Sequence, residues 1–156
     1  MDQTLTILRP LLAGGLLRLA YTHARRAYPH ECCGMILRTG LRECTNIQDA
    51  LHHQDPVSHP RTSRRAFSLT ADETIFLAES RGTDDPVLAV YHSHPDDAAY
   101  FSKTDRAAAL CDGKPVYPDL LHLVIACGAD RVREARLFGF GDGTYREVDR
   151  FDGMPV

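Results

Sequence analysis

Apolar and polar positions alternate along this chain in patterns that predict strands interleaved with helices. Short apolar runs bounded by turn-forming residues predict buried strands at 32–37, 87–91 and 120–126. Weaker patterns predict further strands at 4–8, 41–47, 66–69, 132–140 and 144–151. Apolar residues near helical spacing predict a helix within 11–28, and S/T-x-x-D/E starts predict two more, over about 70–80 and 102–111. This order predicts an α/β sandwich with three helices.

Residues 48–65 show no such period and are predicted to form a loop. A loop of this length inside a compact domain is uncommon and is often functional. Its notable side chains are three histidines and three arginines: His52, His53, His59, Arg61, Arg64 and Arg65. The histidine spacing is not diagnostic of a second metal site, so a solvated loop is expected. The arginines could meet an acidic partner surface.

Composition narrows the class of protein. The chain has 156 residues, 44% of them hydrophobic and 25% charged, which predicts one ordinary globular domain over residues 1–156. No apolar run approaches the roughly 20 residues of a membrane span, and no signal-peptide pattern is present. The net charge of −3 gives no reason to expect nucleic acid as a partner. Five cysteines without a CxxC pair predict no disulfide framework, so we expect a cytoplasmic protein.

The segment 91–95, Tyr-His-Ser-His-Pro, carries the strongest chemical signal. Residues i and i+2 of a strand point to the same face, so His92 and His94 project together, as two imidazole ligands of one metal must. Asp105, early in the next helix, supplies an oxygen ligand. Two histidines and one carboxylate leave a fourth position open, which is the arrangement of a catalytic zinc site that activates water.

Two further residues complete the predicted site. Ser102 could donate a hydrogen bond to the oxyanion of a tetrahedral intermediate. Hydrolysis also needs a carboxylate that transfers protons, and Glu31 is the candidate, at the point where a helix gives way to a buried strand. The spacing H-x-H-x7-S-x2-D has about one chance in 700 from composition alone. Taken singly, Ser102 would be a helix cap and Asp105 an acid serving the helix dipole.

These residues resemble the JAMM motif of the MPN+ zinc metalloproteases, and all five motif positions are filled: Glu31, His92, His94, Ser102 and Asp105. Residues 28–34 are similar to the stretch around that family's general base, and the resemblance covers about residues 4–127. It implies an MPN/JAB-like, cytidine-deaminase-like sandwich with a curved mixed β-sheet. It also implies one Zn²⁺ per chain, bound by the two histidines and the aspartate, with the glutamate as base.

The resemblance implies cleavage after the C-terminal glycine of a ubiquitin-like protein. One hypothesis is an isopeptidase that removes such a protein from its conjugates. Another is a processing peptidase that trims the C-terminus of a ubiquitin-like sulphur carrier, and a third is a non-catalytic scaffold. The short connection between Asp105 and Leu120 leaves little room for a substrate-gripping insertion, so ubiquitin itself is not the expected substrate. We expect an extended tail along the site, with the loop at 48–65 ordering over it. The oligomeric state stays open.

Overall fold

The computed structural model describes all residues from Met1 to Val156. It contains five α-helices: α1 (Asp2–Leu11), α2 (Leu17–Ala27), α3 (Gln48–Gln54), α4 (Ala71–Ser80) and α5 (Lys103–Ala109). A wide helical turn, Leu12–Leu16, joins the first two. The eight strands are β1 (Cys33–Leu37), β2 (Gly40–Cys44), β3 (Ala89–Pro95), β4 (Leu110–Cys111), β5 (Lys114–Pro115), β6 (Leu121–Cys127), β7 (Val132–Gly141) and β8 (Thr144–Met154).

Six strands form one mixed sheet in the order β2-β1-β3-β6-β7-β8, and β4 with β5 forms a separate hairpin. Within the large sheet β3 and β6 run parallel, and every other neighbouring pair is antiparallel. The predicted α/β class with a curved mixed sheet is therefore confirmed. The parallel pair lies at the centre, which explains why 87–91 and 120–126 are nearly continuous apolar runs.

The two faces of the sheet pack against different helices. On one face α1 and α2 cover a large core that includes Leu8 and Tyr21 together with Tyr91 of β3. Because side chains alternate along a strand, the neighbours of Tyr91, Val90 and His92, point to the opposite face. There Val90 packs in a smaller core with residues of α4. The functional side chains lie on this second face.

The strand predicted at 4–8 is wrong, because these residues belong to helix α1. Leu8 and Leu12 lie four positions apart and are buried, and Leu5 packs against the same core, so the spacing is helical. The helical path bends at Gly15, whose φ of 124° is a value that glycine adopts without steric strain. None of the helices combines the length and the apolar character needed to cross a membrane.

The predictions between residues 48 and 69 also need correction. The segment 48–65 is not a continuous loop, because its first part forms helix α3. The strand predicted at 66–69 is wrong, because these residues pair with no strand: the Asn46 side chain accepts a hydrogen bond from the Ser68 amide at 3.1 Å and donates one to the Ala66 carbonyl at 3.1 Å. The three predicted helices correspond to α2, α4 and α5, and α1 and α3 bring the total to five. The last of the predicted helices ends at Ala109, short of the expected 111.

Gly34 gives the sheet room for a large side chain on the face covered by α1 and α2. It lies opposite Tyr91 in the β1–β3 register, and a Cβ atom at Gly34 would lie 2.2 Å from the Tyr91 ring. The Tyr91 hydroxyl in turn is hydrogen-bonded to His23 Nδ1 at 2.8 Å. The glycine therefore allows the ring to lie flat across β1 and to tie α2 to the strand that carries His92.

Candidate metal centre

Strand β3 places His92 and His94 side by side on the second face of the sheet. Their Nε2 atoms lie 3.1 Å apart, and both side chains are buried. His94 is oriented by a hydrogen bond between its Nδ1 and the Ala98 carbonyl at 2.8 Å, which leaves Nε2 free toward the site. The ring of His92 stacks on Phe67 with centroids 4.7 Å apart. Each imidazole is thus held by its surroundings in one orientation.

Helix α5 delivers the carboxylate. Ser102 caps the helix, and its hydroxyl accepts a hydrogen bond from the Asp105 amide at 3.0 Å. Asp105 Oδ2 accepts one from the Ser102 amide at 2.9 Å, which completes a capping box. The same Oδ2 atom lies 3.3 Å from Nε2 of His92 and 3.7 Å from Nε2 of His94. The helix start therefore aims this oxygen at the histidines.

Three donor atoms consequently form a small triangle with edges of 3.1, 3.3 and 3.7 Å. Atoms bound to one tetrahedral zinc at about 2.0–2.1 Å lie roughly 3.3–3.4 Å from one another. The spacing, the two imidazoles and the single carboxylate all fit zinc with one open position. On these observations His92, His94 and Asp105 are a suitable donor set.

Glu31 lies beside this triangle, just before strand β1. Continuing the β1–β3 register places it opposite His94, and its Oε1 lies 3.8 Å from Nε2 of that histidine. Glu31 is 5% exposed, and its Oε2 is buried with no hydrogen-bond partner. Burial raises the pKa of Glu31 to about 8; His94 opposes this increase, and the Asp105 charge adds to it by a smaller amount.

Glu31, His92 and His94 also form a group whose donor atoms lie within 4.8 Å of one another. We favour Asp105 over Glu31 as the third ligand because its oxygen is closer to both histidines and is fixed by the capping box. Glu31 keeps one oxygen without a partner, which suits a group that receives and returns a proton.

The ionisable groups of the cluster shift one another's pKa values. Burial opposes ionisation of Asp105, but hydrogen bonds with His92 and His94 outweigh it and lower the pKa of the carboxyl group. Burial lowers the pKa of His92, which favours the neutral imidazole that a metal binds. For His94 burial acts in the same direction, but Asp105, the Ala98 carbonyl and the Glu31 charge together outweigh burial and raise the pKa.

The cluster opens into a cavity of about 730 Å³ on the second face of the sheet. All five residues singled out from the sequence line it: Glu31, His92, His94, Ser102 and Asp105. Sequence patterns missed Phe67, Tyr100 and Tyr145, which also line the cavity, because no spacing links them to the histidines. His52 and His59 lie outside this lining, and His52 Nδ1 is hydrogen-bonded to the His59 carbonyl at 2.7 Å.

Comparison with known proteins gives the same picture as the geometry. Residues 15–138 match the family described as prokaryotic homologs of the JAB domain. The chain belongs to this prokaryotic JAB family. The resemblance inferred from the five motif positions is therefore confirmed at the level of the family.

Two kinds of curated relative are similar to this JAB-family chain. The CysO-cysteine peptidase of Mycobacterium tuberculosis is 24% identical over 138 residues, which are 88% of this chain and 86% of the peptidase. Tail tip assembly protein K of Escherichia phage N15 is 33% identical over 94 residues, which are 58% of this chain. The alignment spans only 31% of the phage protein. A peptidase-named relative of similar length supports a hydrolase for this chain.

Among solved structures, a protein of Desulfitobacterium hafniense has a similar fold, with a TM-score of 0.60 and 20% sequence identity. The match covers 86% of each chain. It supports the arrangement of the sheet and helices.

Proposed function

We propose that this chain is a metal-dependent peptidase that hydrolyses the bond after the C-terminal glycine of a ubiquitin-like protein. The observation that carries the proposal is the convergence of His92, His94 and Asp105 in one cavity, with the unpaired carboxyl of Glu31 beside them. Three donors at zinc-like spacing and a separate buried carboxyl are the parts that hydrolysis needs.

His92, His94 and Asp105 would hold one zinc ion, which when bound would polarise the scissile carbonyl and activate water. The chain's own contribution begins with orientation. Ala98 fixes the His94 ring, and Ser102 fixes the Asp105 carboxylate. These hydrogen bonds restrict the donor atoms to one arrangement before the metal or the substrate binds, so binding costs less conformational entropy.

Glu31 would act as the proton carrier. Its burial holds its pKa near the physiological range, where a group can both accept and donate a proton. It would take a proton from the attacking water and return it to the leaving nitrogen. Its unpaired Oε2 provides the atom for this transfer.

Ser102 would have two functions. Its hydroxyl oxygen accepts the Asp105 amide, and its hydroxyl hydrogen remains available for a negatively charged oxygen in the cavity. One such donor typically contributes about 10² to 10³ in rate. The capping function and the oxyanion function use different parts of the same hydroxyl group.

The comparisons favour one substrate class. The similarity to a CysO-cysteine peptidase over most of both chains supports processing at the C-terminus of a ubiquitin-like sulphur carrier. Removal of a ubiquitin-like protein from conjugates would use the same chemistry on an isopeptide bond. We infer that residues 1–156 form one domain. Helix α1 precedes the family match and strand β8 follows it, and both pack against the main core.

Incubation with a ubiquitin-like sulphur carrier that ends in Gly-Gly plus one added residue tests this function. Mass spectrometry should detect the carrier with a free glycine carboxylate, and release should require both zinc and Glu31. If the zinc-loaded chain leaves this substrate and an isopeptide-linked conjugate intact, the protein is a scaffold and the proposal is wrong.

A further inference from the structure

Asn46 lies where the pairing of β1 with β2 stops. The last paired residues are Cys33 and Cys44, and continuing this antiparallel register by two positions brings Glu31 opposite Asn46. Here a side chain replaces the backbone of the neighbouring strand, because Asn46 Nδ2 donates a hydrogen bond to the Glu31 carbonyl at 2.9 Å. The peptide that carries the candidate base is therefore held by an asparagine amide.

All four hydrogen-bonding positions of this amide are used. Its Nδ2 donates a second hydrogen bond, to the Ala66 carbonyl at 3.1 Å. Its Oδ1 accepts hydrogen bonds from the amides of Gln48 at 3.0 Å and Ser68 at 3.1 Å. An asparagine side chain has two donors and two acceptor positions, so Asn46 has no capacity left. Two carbonyls at one end and two amides at the other also determine which end is the nitrogen.

The same amide reaches a segment that packs against the candidate metal centre. Ala66 and Ser68 flank Phe67, whose ring stacks on His92 with centroids 4.7 Å apart. Asn46 thus joins the peptide of the candidate base to residues in contact with a candidate ligand. A shift of either segment would break at least one of the four hydrogen bonds, so the amide sets the separation between the base and the histidines.

The Glu31 side chain has no hydrogen bond that would hold it by itself. Its Oε2 has no partner, and its Oε1 lies 3.8 Å from Nε2 of His94, beyond hydrogen-bond distance. The place of the carboxyl group therefore depends on the backbone, where the Glu31 amide donates to the Ser63 carbonyl at 2.7 Å. Ser93 Oγ binds the next amide but lies between the two histidines. Asn46 is therefore the side-chain contact that can be removed without changing the strand of the ligands.

We propose that Asn46 is a positioning residue for the reaction at this centre and that it acts through Glu31. This inference rests on the proposed function. Proton transfer requires the carboxyl group within hydrogen-bond reach of its partners, and a displacement of about 1 Å costs up to about 10² in rate. The Asn46 amide prevents such a displacement and contacts neither the substrate nor the metal ligands.

Two variants separate positioning from a general loss of stability. N46A removes all four hydrogen bonds. N46D has the same shape and keeps an acceptor oxygen for the two backbone amides, but it loses the donor to the Glu31 carbonyl, so it replaces N46A if that variant does not fold. Y21F is the matched control, because it removes a hydrogen bond of 2.9 Å from Tyr21 to the Asp152 carbonyl on the opposite face of the sheet.

Kinetics with the zinc-loaded protein test the effect on turnover. On a Gly-Gly-ended sulphur carrier with one added residue, N46A should lower kcat by about 10- to 100-fold and leave KM unchanged. The same substitution in an E31Q background should cause no further loss, because no proton carrier is left to misplace. Zinc content should equal that of the wild type, and Y21F should keep the wild-type kcat. Equal losses from N46A in both backgrounds, or a wild-type kcat in N46A, would overturn the inference.

Amide hydrogen exchange of the full chain tests the attachment without any turnover. In N46D the Glu31 amide should exchange about 10-fold faster than in the wild type, while the amides of β6 keep their rates. An unchanged rate at Glu31, or equal acceleration at Glu31 and in β6, would show that Asn46 does not position the base. If the wild type leaves the carrier intact, the proposed function is wrong, and the exchange rate of Glu31 still decides whether Asn46 fixes this peptide.

Discussion

Ser102 and Asp105 hold each other in place across the first turn of helix α5. The Ser102 amide donates to Asp105 Oδ2 at 2.9 Å, and the Asp105 amide donates to Ser102 Oγ at 3.0 Å. Because Oδ2 is also the atom that faces His92 and His94, the geometry of a helix cap sets the geometry of the candidate metal centre. A residue that looks purely structural therefore has a chemical consequence, and the two effects can be measured separately.

We expect Ser102→Ala to lower kcat by about 10² to 10³, since it removes a hydroxyl donor from the cavity. Loss of the cap should also cost about 1 kcal/mol of stability. Ser102→Thr keeps the hydroxyl and should retain most of both. Steady-state kinetics, zinc content and thermal unfolding of the two variants provide the check. A loss confined to zinc content or Tm would leave Ser102 as a helix cap alone.

The wild-type protein should contain one zinc ion per chain, and a His92→Ala/His94→Ala double variant should contain none. Removing two of three protein donors leaves too few ligands for a stable zinc site. Elemental analysis of dialysed protein measures the stoichiometry. The matched control is His52→Ala/His53→Ala in helix α3, which should keep its zinc. Equal zinc in the wild type and the first variant would contradict the ligand assignment.

Glu31→Gln should keep the fold and the metal but lose about 10² to 10⁴ in turnover, because the proton carrier is gone while the ligands remain. Its Tm without metal should not fall, since the change replaces a buried carboxyl that has an unpaired oxygen with a neutral group of similar size. Glu79→Gln, at an exposed position of α4, is the control. Near wild-type activity in Glu31→Gln would assign the proton transfer to another group.

Gly34→Ala should destabilise the protein by roughly 1–3 kcal/mol, because the new methyl group would displace the Tyr91 ring from its place over β1. The hydrogen bond between Tyr91 and His23 should be weakened with it. Gly14→Ala introduces the same group where no atom lies within 4 Å, and it should be neutral or slightly stabilising. Urea unfolding of both variants tests this contrast, and equal effects would count against the packing argument.

His122 should make the metal-free protein sensitive to mild acid. Its ring packs against Phe101 and Tyr145, with centroids 4.9 and 5.4 Å away, and burial lowers its pKa to about 4. In the unfolded chain this histidine is protonated below about pH 6.5, whereas in the folded chain it stays neutral down to about pH 4. The free energy of unfolding therefore decreases as the pH falls from about 6.5 toward 4. The loss attributable to His122 is about 3 kcal/mol.

The check is urea unfolding at pH 7 and pH 5 in the presence of a chelator. Between pH 7 and pH 5 the free energy of unfolding should decrease less in His122→Phe than in the wild type. The control variant His53→Ala, at an exposed position, should show the same decrease as the wild type. An unchanged difference between the two pH values in His122→Phe would show that this histidine titrates normally.

Local rules explain the part of the site that the sequence predicts well. His92 and His94 share a face because a strand has a period of two residues, and Ser102 and Asp105 meet because a capping box spans three. Both rules operate within a few residues, and the structure has both features. Glu31 is different, since its approach to His94 depends on the pairing of β1 with β3, which are far apart in the chain. The family resemblance pointed to it, and no local pattern did.

The errors in the predicted fold come from contacts between distant parts of the chain. The run Thr4 to Leu8 contains β-branched residues, which favour a strand, but burial of Leu8 and Leu12 against the sheet decides for a helix. Helix α3 was missed because it is short and polar. It is stabilised instead by contacts from outside, such as the hydrogen bond from Gln48 Nε2 to the Arg61 carbonyl at 2.8 Å. Tertiary contacts of this kind leave no period in the sequence.

The double attachment of the Glu31 peptide has a consequence for engineering. Asn46 donates a hydrogen bond to the Glu31 carbonyl, and the Ser63 carbonyl accepts one from the Glu31 amide. The stretch between Asn46 and Ser63 is therefore attached at both ends to the candidate base. Exchanging residues 50–62 between family members, with Asn46, Asp49 and Ser63 retained, would change the surface beside Glu31 while Glu31 keeps both backbone hydrogen bonds. The fold thereby places this exposed surface and the candidate metal centre on separate stretches of the chain, and the first stretch is short enough to be replaced as a single cassette.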